Sequence, residues 1–320
     1  AHAKRVENTS PQWTGSTVRL DMEQLYFYEL NYESAREANT LNLFLTNYPA
    51  EPEEGFQHST AGAFTFESLD KFQRMCEEPE YYEIMKNPKG KLEKIRLSDE
   101  EVNPDDLRGV LCIWEKPKPS EKYVLGADPA GGIMEWDRRI RFTVDRDTDN
   151  AVCEVIRVGR HGKPDVQVAE YAAPLIIPDF SPICDYLGRW YAGSDECEAA
   201  LLIPETHGVN TTIIPELLQR FQYPNVYVWK YLDGAQSRVP KHGWQPTQES
   251  NKALFLKALD WLGKNRIIVK SNALVGEFRD CTSDWITATL RAKWGRHDDR
   301  VRAFFLAVWG AHDWTTFADF

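Results

Sequence analysis

No run of apolar residues in this 320-residue chain approaches the ~18 needed to cross a bilayer as a helix. That excludes a helical membrane span, and the mean hydropathy of -0.51 agrees. No basic stretch leads an apolar one near the start, so there is no signal-peptide pattern. No Gly-x-x-x-x-Gly-Lys-Ser/Thr occurs, so these residues hold no phosphate-cradling loop of an ATPase. The six cysteines, at 76, 112, 153, 184, 197 and 281, include no Cys-x-x-Cys pair. A zinc ribbon is therefore excluded, and reduced, mostly buried thiols are expected. There are no internal repeats and no low-complexity tracts. An excess of positive charge is also missing: Lys and Arg number 38 against 49 Asp and Glu, a net of -11. This argues against a general polyanion binder. The chain opens on Ala1-His2-Ala3 and not on Met, which reads as a trimmed end and predicts a piece of something longer.

What is present is unevenly spread. Residues 51–106 hold 15 acids and seven bases, most of the net charge. Basic clusters stand at Arg138-Arg139-Ile140-Arg141, at 157–163 and at 291–302. Residues 1–20 read as a polar tail. Leu25, Tyr28 and Tyr32 then follow helical spacing from Asp21. Helices are predicted over 68–75 and 81–85, and an acidic linker over 98–106. From about residue 110 the texture changes to short apolar and alternating runs. Strands are predicted over 110–114, 123–126, 139–144, 151–158, 166–172, 199–203, 226–229 and 267–269. Helices are predicted over 183–191, 211–221, 252–262, 273–278 and 298–309. Strands first, then strands alternating with helices, is the pattern of a mixed α/β sheet with helices on its faces.

Three acidic positions stand out by place. Asp128 ends the strand Tyr123-Val-Leu-Gly-Ala127 and precedes Pro129-Ala-Gly-Gly132. Alone it reads as a turn residue. Glu205 ends the buried run Ala200-Leu-Leu-Ile-Pro204, where open α/β sheets place ligands. It would equally serve as a first-turn acid of the following helix. Asp298 and Asp299 open an amphipathic helix; a cap needs one acid, and here are two beside His297. Together, these carboxylates on separate elements would supply hard oxygen ligands for Mg²⁺ or Mn²⁺. Two such ions ~3.5–4 Å apart can activate water and stabilise a leaving oxygen in phosphodiester cleavage. Asp147 and Asp149 read as turn residues, His207 as a polar loop residue, and Lys252 as a helix-start cation able to meet a phosphate. Trp136, Trp190, Trp229, Trp244, Trp261 and Trp294 read mostly as packing residues.

These pieces resemble, in order, the C-terminal nuclease region of the large terminase subunit of tailed bacteriophages. Asp21-Met-Glu-Gln-Leu25 and Asn47-Tyr-Pro-Ala-Glu-Pro-Glu-Glu-Gly-Phe-Gln57, with Ala63-Phe64, resemble the end of the terminase ATPase domain. Gly126-Ala-Asp-Pro-Ala-Gly131 resembles the first acidic strand. Leu202-Ile-Pro-Glu-Thr-His-Gly208, Ile214 to Leu218 and Tyr223-Pro-Asn-Val-Tyr227 resemble the second. Gly243-Trp244 through Lys252 matches a segment between, and Gly295-Arg-His-Asp-Asp-Arg-Val-Arg-Ala303 resembles the third. The resemblance covers about residues 21–310. Three departures accompany it: an added 133–148 stretch, His207 where Asn is expected, and an acidic 67–106 region without counterpart.

The resemblance implies an α/β fold with an RNase H-like mixed central sheet, helices on both faces, and a mainly helical N-terminal segment. It implies a division into 1–110, a tail and remnant of a missing ATPase motor, and 111–320, the nuclease domain. The implied activity is a two-metal endonuclease cutting concatemeric viral DNA during packaging. Asp128, Glu205, Asp298 and Asp299 become the catalytic metal ligands, with His297 as a possible further one and two Mg²⁺ or Mn²⁺ ions as cofactors. Arg138, Arg139, Arg141, Lys252, Arg296 and Arg300 become candidate DNA contacts. Double-stranded DNA, the small terminase subunit and the portal protein are the implied partners, and the host cytoplasm is the implied setting. Two other readings stand beside it. One is a different RNase H-like nuclease, such as a junction resolvase or hybrid cleaver. The other is a non-catalytic assembly module whose carboxylates are caps and turn residues.

Overall fold

The computed structural model describes residues 22–37, 63–131, 148–193, 198–229, 241–284, 289–293 and 297–317. The expected ATPase remnant at 47–57 and the expected strand at 139–144 lie outside them.

Among the described residues two helices come first, α1 (Met22–Glu37) and α2 (Phe66–Met75). The α2 start is set by Thr65, whose side-chain oxygen accepts from the Ser68 N–H. Strands β1 (Glu80–Lys86) and β2 (Leu92–Arg96) follow. The helix expected over 81–85 is therefore a strand: Tyr82 is buried in register opposite Leu111, and cross-strand pairing overrides the local reading. The main sheet continues with β3 (Val110–Ile113), β4 (Tyr123–Asp128), β5 (Ala151–Arg157), β6 (Asp165–Ala173) and β7 (Leu201–Pro204). Between β6 and β7 lies α3 (Ile177–Trp190). Three short helical pieces of different winding, Gly208–Thr212, Ile213–Pro215 and Glu216–Arg220, replace the single helix expected over 211–221. Pro215 has no N–H to continue a regular ladder through them.

The strand order is β2-β1-β3-β6-β5-β4-β7. β5 runs antiparallel to both of its neighbours, β4 and β6, and β7 lies parallel to β4 on the other side. Leu202 forms a further parallel bridge to Val226. This is a mixed α/β sheet, as the sequence pattern predicts. β1 and β2 precede residue 110 yet hydrogen-bond into the same sheet through β3, so the expected division at 110/111 falls inside one sheet.

The rest is β8 (Val228–Trp229), β9 (Lys241–His242), α4 (Gln248–Gly263), β10 (Ile267–Ile268), α5 (Asn272–Asp280), β11 (Cys281–Asp284), β12 (Thr289–Ala292) and α6 (Asp299–Phe317). β10 pairs in parallel with the start of β6, and β11 with β12 forms a hairpin absent from the sequence reading. Alternating side chains of β4 feed two cores. Tyr123, Leu125 and Ala127 pack with α3, while Val124 packs with α4, α5 and α6. Burial of both faces explains why the strands read as continuous apolar runs.

One contact fixes where α6 lies. A Cβ on Gly126 of β4 would collide with the Ala303 carbonyl oxygen and sit 2.6 Å from the Ala307 N. A Cβ on Gly310 would meet Ile203 and Val124. The helix therefore touches the sheet backbone directly, as only glycine and alanine permit. Its first turn is carried to the end of β4.

Candidate metal centre

β4 and β7 run parallel, so their carboxyl ends open on the same edge. Asp128 is the last residue of β4. Glu205 follows β7, and its N–H donates to the Ala127 carbonyl at 2.8 Å. Hydrogen-bonded pairing thus sets the two acids side by side. Asp298 and Asp299 arrive from the start of α6. The Arg302 N–H donates to the Asp298 carbonyl at 2.8 Å, closing the first turn. The Asn150 N–H donates to Asp299 Oδ2 at 2.8 Å. Asn150 immediately precedes β5, and β5 pairs Val152 with Asp128, so α6 is tied to the same edge. On the far side Asn210 donates to the Pro129 carbonyl at 2.6 Å, holding the turn after Asp128.

The charges interact. Burial pushes the Asp128 carboxyl well above its ordinary range, and repulsion from Glu205, Asp299 and Asp298 adds to this, with Arg302 opposing. Burial raises Asp298 too, against Arg302 and a backbone hydrogen bond from Ala292, and Glu205 raises it further. Asp299 is pushed up to about 6, chiefly by burial, with Asp149 and Asp298 adding to the Asn150- and His297-opposed shift. Carboxyls that raise one another's affinity for a proton share one space. The four expected acids therefore lie near enough to feel one another's charge, but among the described residues only Asp299 of the four belongs to a group of three or more ligand atoms within 4.8 Å.

Two groups complete the surroundings. Asp149, His297 and Asp299 each offer a ligand atom within 4.8 Å of the others. His297 Nδ1 lies 3.6 Å from Asp149 Oδ1 and 3.7 Å from Asp299 Oδ2. On the opposite side Arg302 donates through Nε to Glu205 Oε2 and through Nη2 to Asn251 Oδ1 at 2.7 Å. The donor set is carboxylate oxygen with one imidazole, and the acids are short of compensating positive charge. Both properties suit a hard divalent cation.

No protein-family model matches the sequence, and no curated protein matches it. Solved structures are similar to the chain. Among them is the nuclease domain of the large terminase of Thermus phage P74-26, at 17% identity and a TM-score of 0.42, over 63% of this chain and 86% of that one.

The other expected residues fall in several places. Arg138, Arg139, Arg141 and Arg296 lie outside the described residues, as do Trp136 and Trp294. Lys252 is exposed in the first turns of α4, next to Asn251. His207 is exposed just past Glu205. Arg300, expected at the DNA, is instead enclosed between Glu170 (2.8 Å) and Glu277 (2.7 Å), with its side chain 11% exposed. The basic 157–163 stretch follows the end of β5 that pairs with Tyr123, the opposite edge of the sheet from Asp128. Trp244 is fully buried and stacks edge-on with Trp229 and Trp309, as packing predicts.

Sequence reasoning missed Arg302, Asn251 and a buried network beneath the acids. In that network Glu154 and Glu170 sit directly opposite on β5 and β6. Gln167 donates to Glu154 Oε2 at 2.8 Å and accepts from the Lys270 and Ser271 N–H groups. Arg302 had a signal: it lies four residues past Asp298, on the same face of the helix.

Proposed function

We propose that this chain is a divalent-metal-dependent DNA endonuclease that cuts concatemeric viral DNA during genome packaging. The observation that supports the reading is the pairing of the Asp128 and Glu205 strand ends, with the helix that opens on Asp298 and Asp299 packed directly on β4. Mg²⁺ or Mn²⁺ would be held by these carboxylates, with Asp149 and His297 available on the Asp299 side. A bound ion pair would supply an activated water and stabilisation of the leaving oxygen. The chain's own contribution is placement. The Ala127–Glu205 and Asn150–Asp299 hydrogen bonds fix two acids to backbone, and Arg300, held by Glu170 and Glu277, fixes the turn that carries Asp298 and Asp299. Lys252 and the arginines at 138, 139, 141 and 296 are proposed to meet phosphates, which gives sequence-independent, salt-sensitive binding. In this setting the small terminase subunit and the portal would be partners, within the bacterial host.

The test is plasmid cleavage. The chain should nick or cut duplex DNA with Mn²⁺ or Mg²⁺ and not with EDTA. Asp128→Asn should lose cutting while keeping the wild-type circular dichroism spectrum. Undiminished cutting by that folded variant would remove the assignment. A panel of duplex, four-way junction and RNA–DNA hybrid separates this activity from that of a resolvase or hybrid cleaver.

A further inference from the structure

We propose that Arg302 is a built-in counter-ion that holds Glu205 in the metal-free protein and competes with divalent cations for it. This rests on the metal-nuclease reading and specifies how its site loads.

The geometry is asymmetric. On one side, Asp149, His297 and Asp299 offer ligand atoms to one another. On the other, the Glu205 carboxylate already accepts from the Arg302 guanidinium. That contact is enclosed, with the two side chains 25% and 12% exposed. Arg302 is not a surface arginine that happens to reach an acid. Its backbone N–H is bound to Asp298, and its second guanidinium nitrogen is bound to Asn251 on α4. Two elements thus aim one fixed positive charge at the acid cluster. Asp128 and Asp298 also act on that charge.

Four acids drawn together on folding repel unless something neutralises them. In the ion-free chain Arg302 does so in part. A cation that uses Glu205 must then share or displace an existing charge-assisted hydrogen bond, and it meets a positive neighbour as it arrives. Arg302 therefore stabilises the empty site and weakens the loaded one. The first ion is expected on the Asp149–His297–Asp299 side, and the ion that needs Glu205 is expected to bind more weakly.

The experiment is calorimetric titration of Mn²⁺ into the whole chain without DNA, paired with thermal melts in EDTA and in Mn²⁺. Arg302→Gln should bind Mn²⁺ roughly tenfold tighter at its weakest step, because one repelling charge is gone. It should also melt lower than wild type in EDTA and gain more from Mn²⁺. If Arg302→Gln does not fold without metal, Asn251→Ala decides the matter. It leaves the charge in place but frees it to swing away, and should tighten binding severalfold. Affinity that is unchanged or weaker in the folded variants overturns the proposal, since weaker binding would make Arg302 a positioning residue for Glu205. If wild type itself binds no Mn²⁺ at millimolar concentration, the nuclease reading fails and this inference with it. If wild type binds and the variants match it, only the inference fails.

Discussion

Glu154 is fully buried and faces Glu170 across the paired strands, and Glu154 Oε1 and Glu170 Oε2 have no other hydrogen-bond partner among the described residues. Two buried carboxyls set opposite each other cannot both ionise without large cost, which favours a proton held on one of them. Burial, then repulsion from Glu170, pushes the Glu154 carboxyl well above its ordinary 4.5. The folded chain therefore keeps a proton that the unfolded chain gives up above that pH. Stability from this group is complete below 4.5 and declines as pH climbs towards the raised folded value, by about 1.4 kcal/mol per pH unit. Glu154→Gln retains the shape and a neutral donor, so it should remove that slope. Urea midpoints from pH 5 to 8 should show the variant gaining on wild type as pH rises; parallel profiles would show that the proton is not held there. Asp128 and Glu205 were legible because each ends an apolar strand run. Glu154 and Glu170 were not: each sits inside its strand, and only the register makes them neighbours. Arg300 was misread for the same reason, since its two acidic partners come from β6 and α5.

At the level of elements, the site is the meeting of a strand pair and a helix start. α6 supplies Asp298, Asp299 and Arg302, and its distance from β4 is set by backbone contact at Gly126. Gly126→Ala should cost about 1–3 kcal/mol through overpacking. It should also weaken Mn²⁺ binding, because the helix carrying two acids must move from the strand carrying a third. Denaturant unfolding and titration check this together; lost stability with wild-type affinity would mean that α6 does not set the acid spacing. The periodicity of α6 was readable in Val301, Phe304, Phe305 and Val308. The close approach was not, since a glycine in Leu-Gly-Ala is equally an ordinary strand residue. The β1–β2 hairpin was missed because 81–85 reads as a helix; its single deeply buried side chain, Tyr82, gives little period-two signal.

Across the whole molecule, the sheet's mixed character and its two helical layers were legible from the change of texture near residue 110. The strand order and the extension of the sheet by β1 and β2 were not, because order depends on pairings between distant segments. The account has one central claim, that acids from β4, the β7 end and the α6 start form a single cation site. A crystal structure of the chain soaked in Mn²⁺, with anomalous data at the manganese edge, tests it most directly. Strong peaks should lie between Asp128, Asp299 and Glu205. Manganese found only elsewhere, with these carboxylates unliganded at saturating metal, would contradict it.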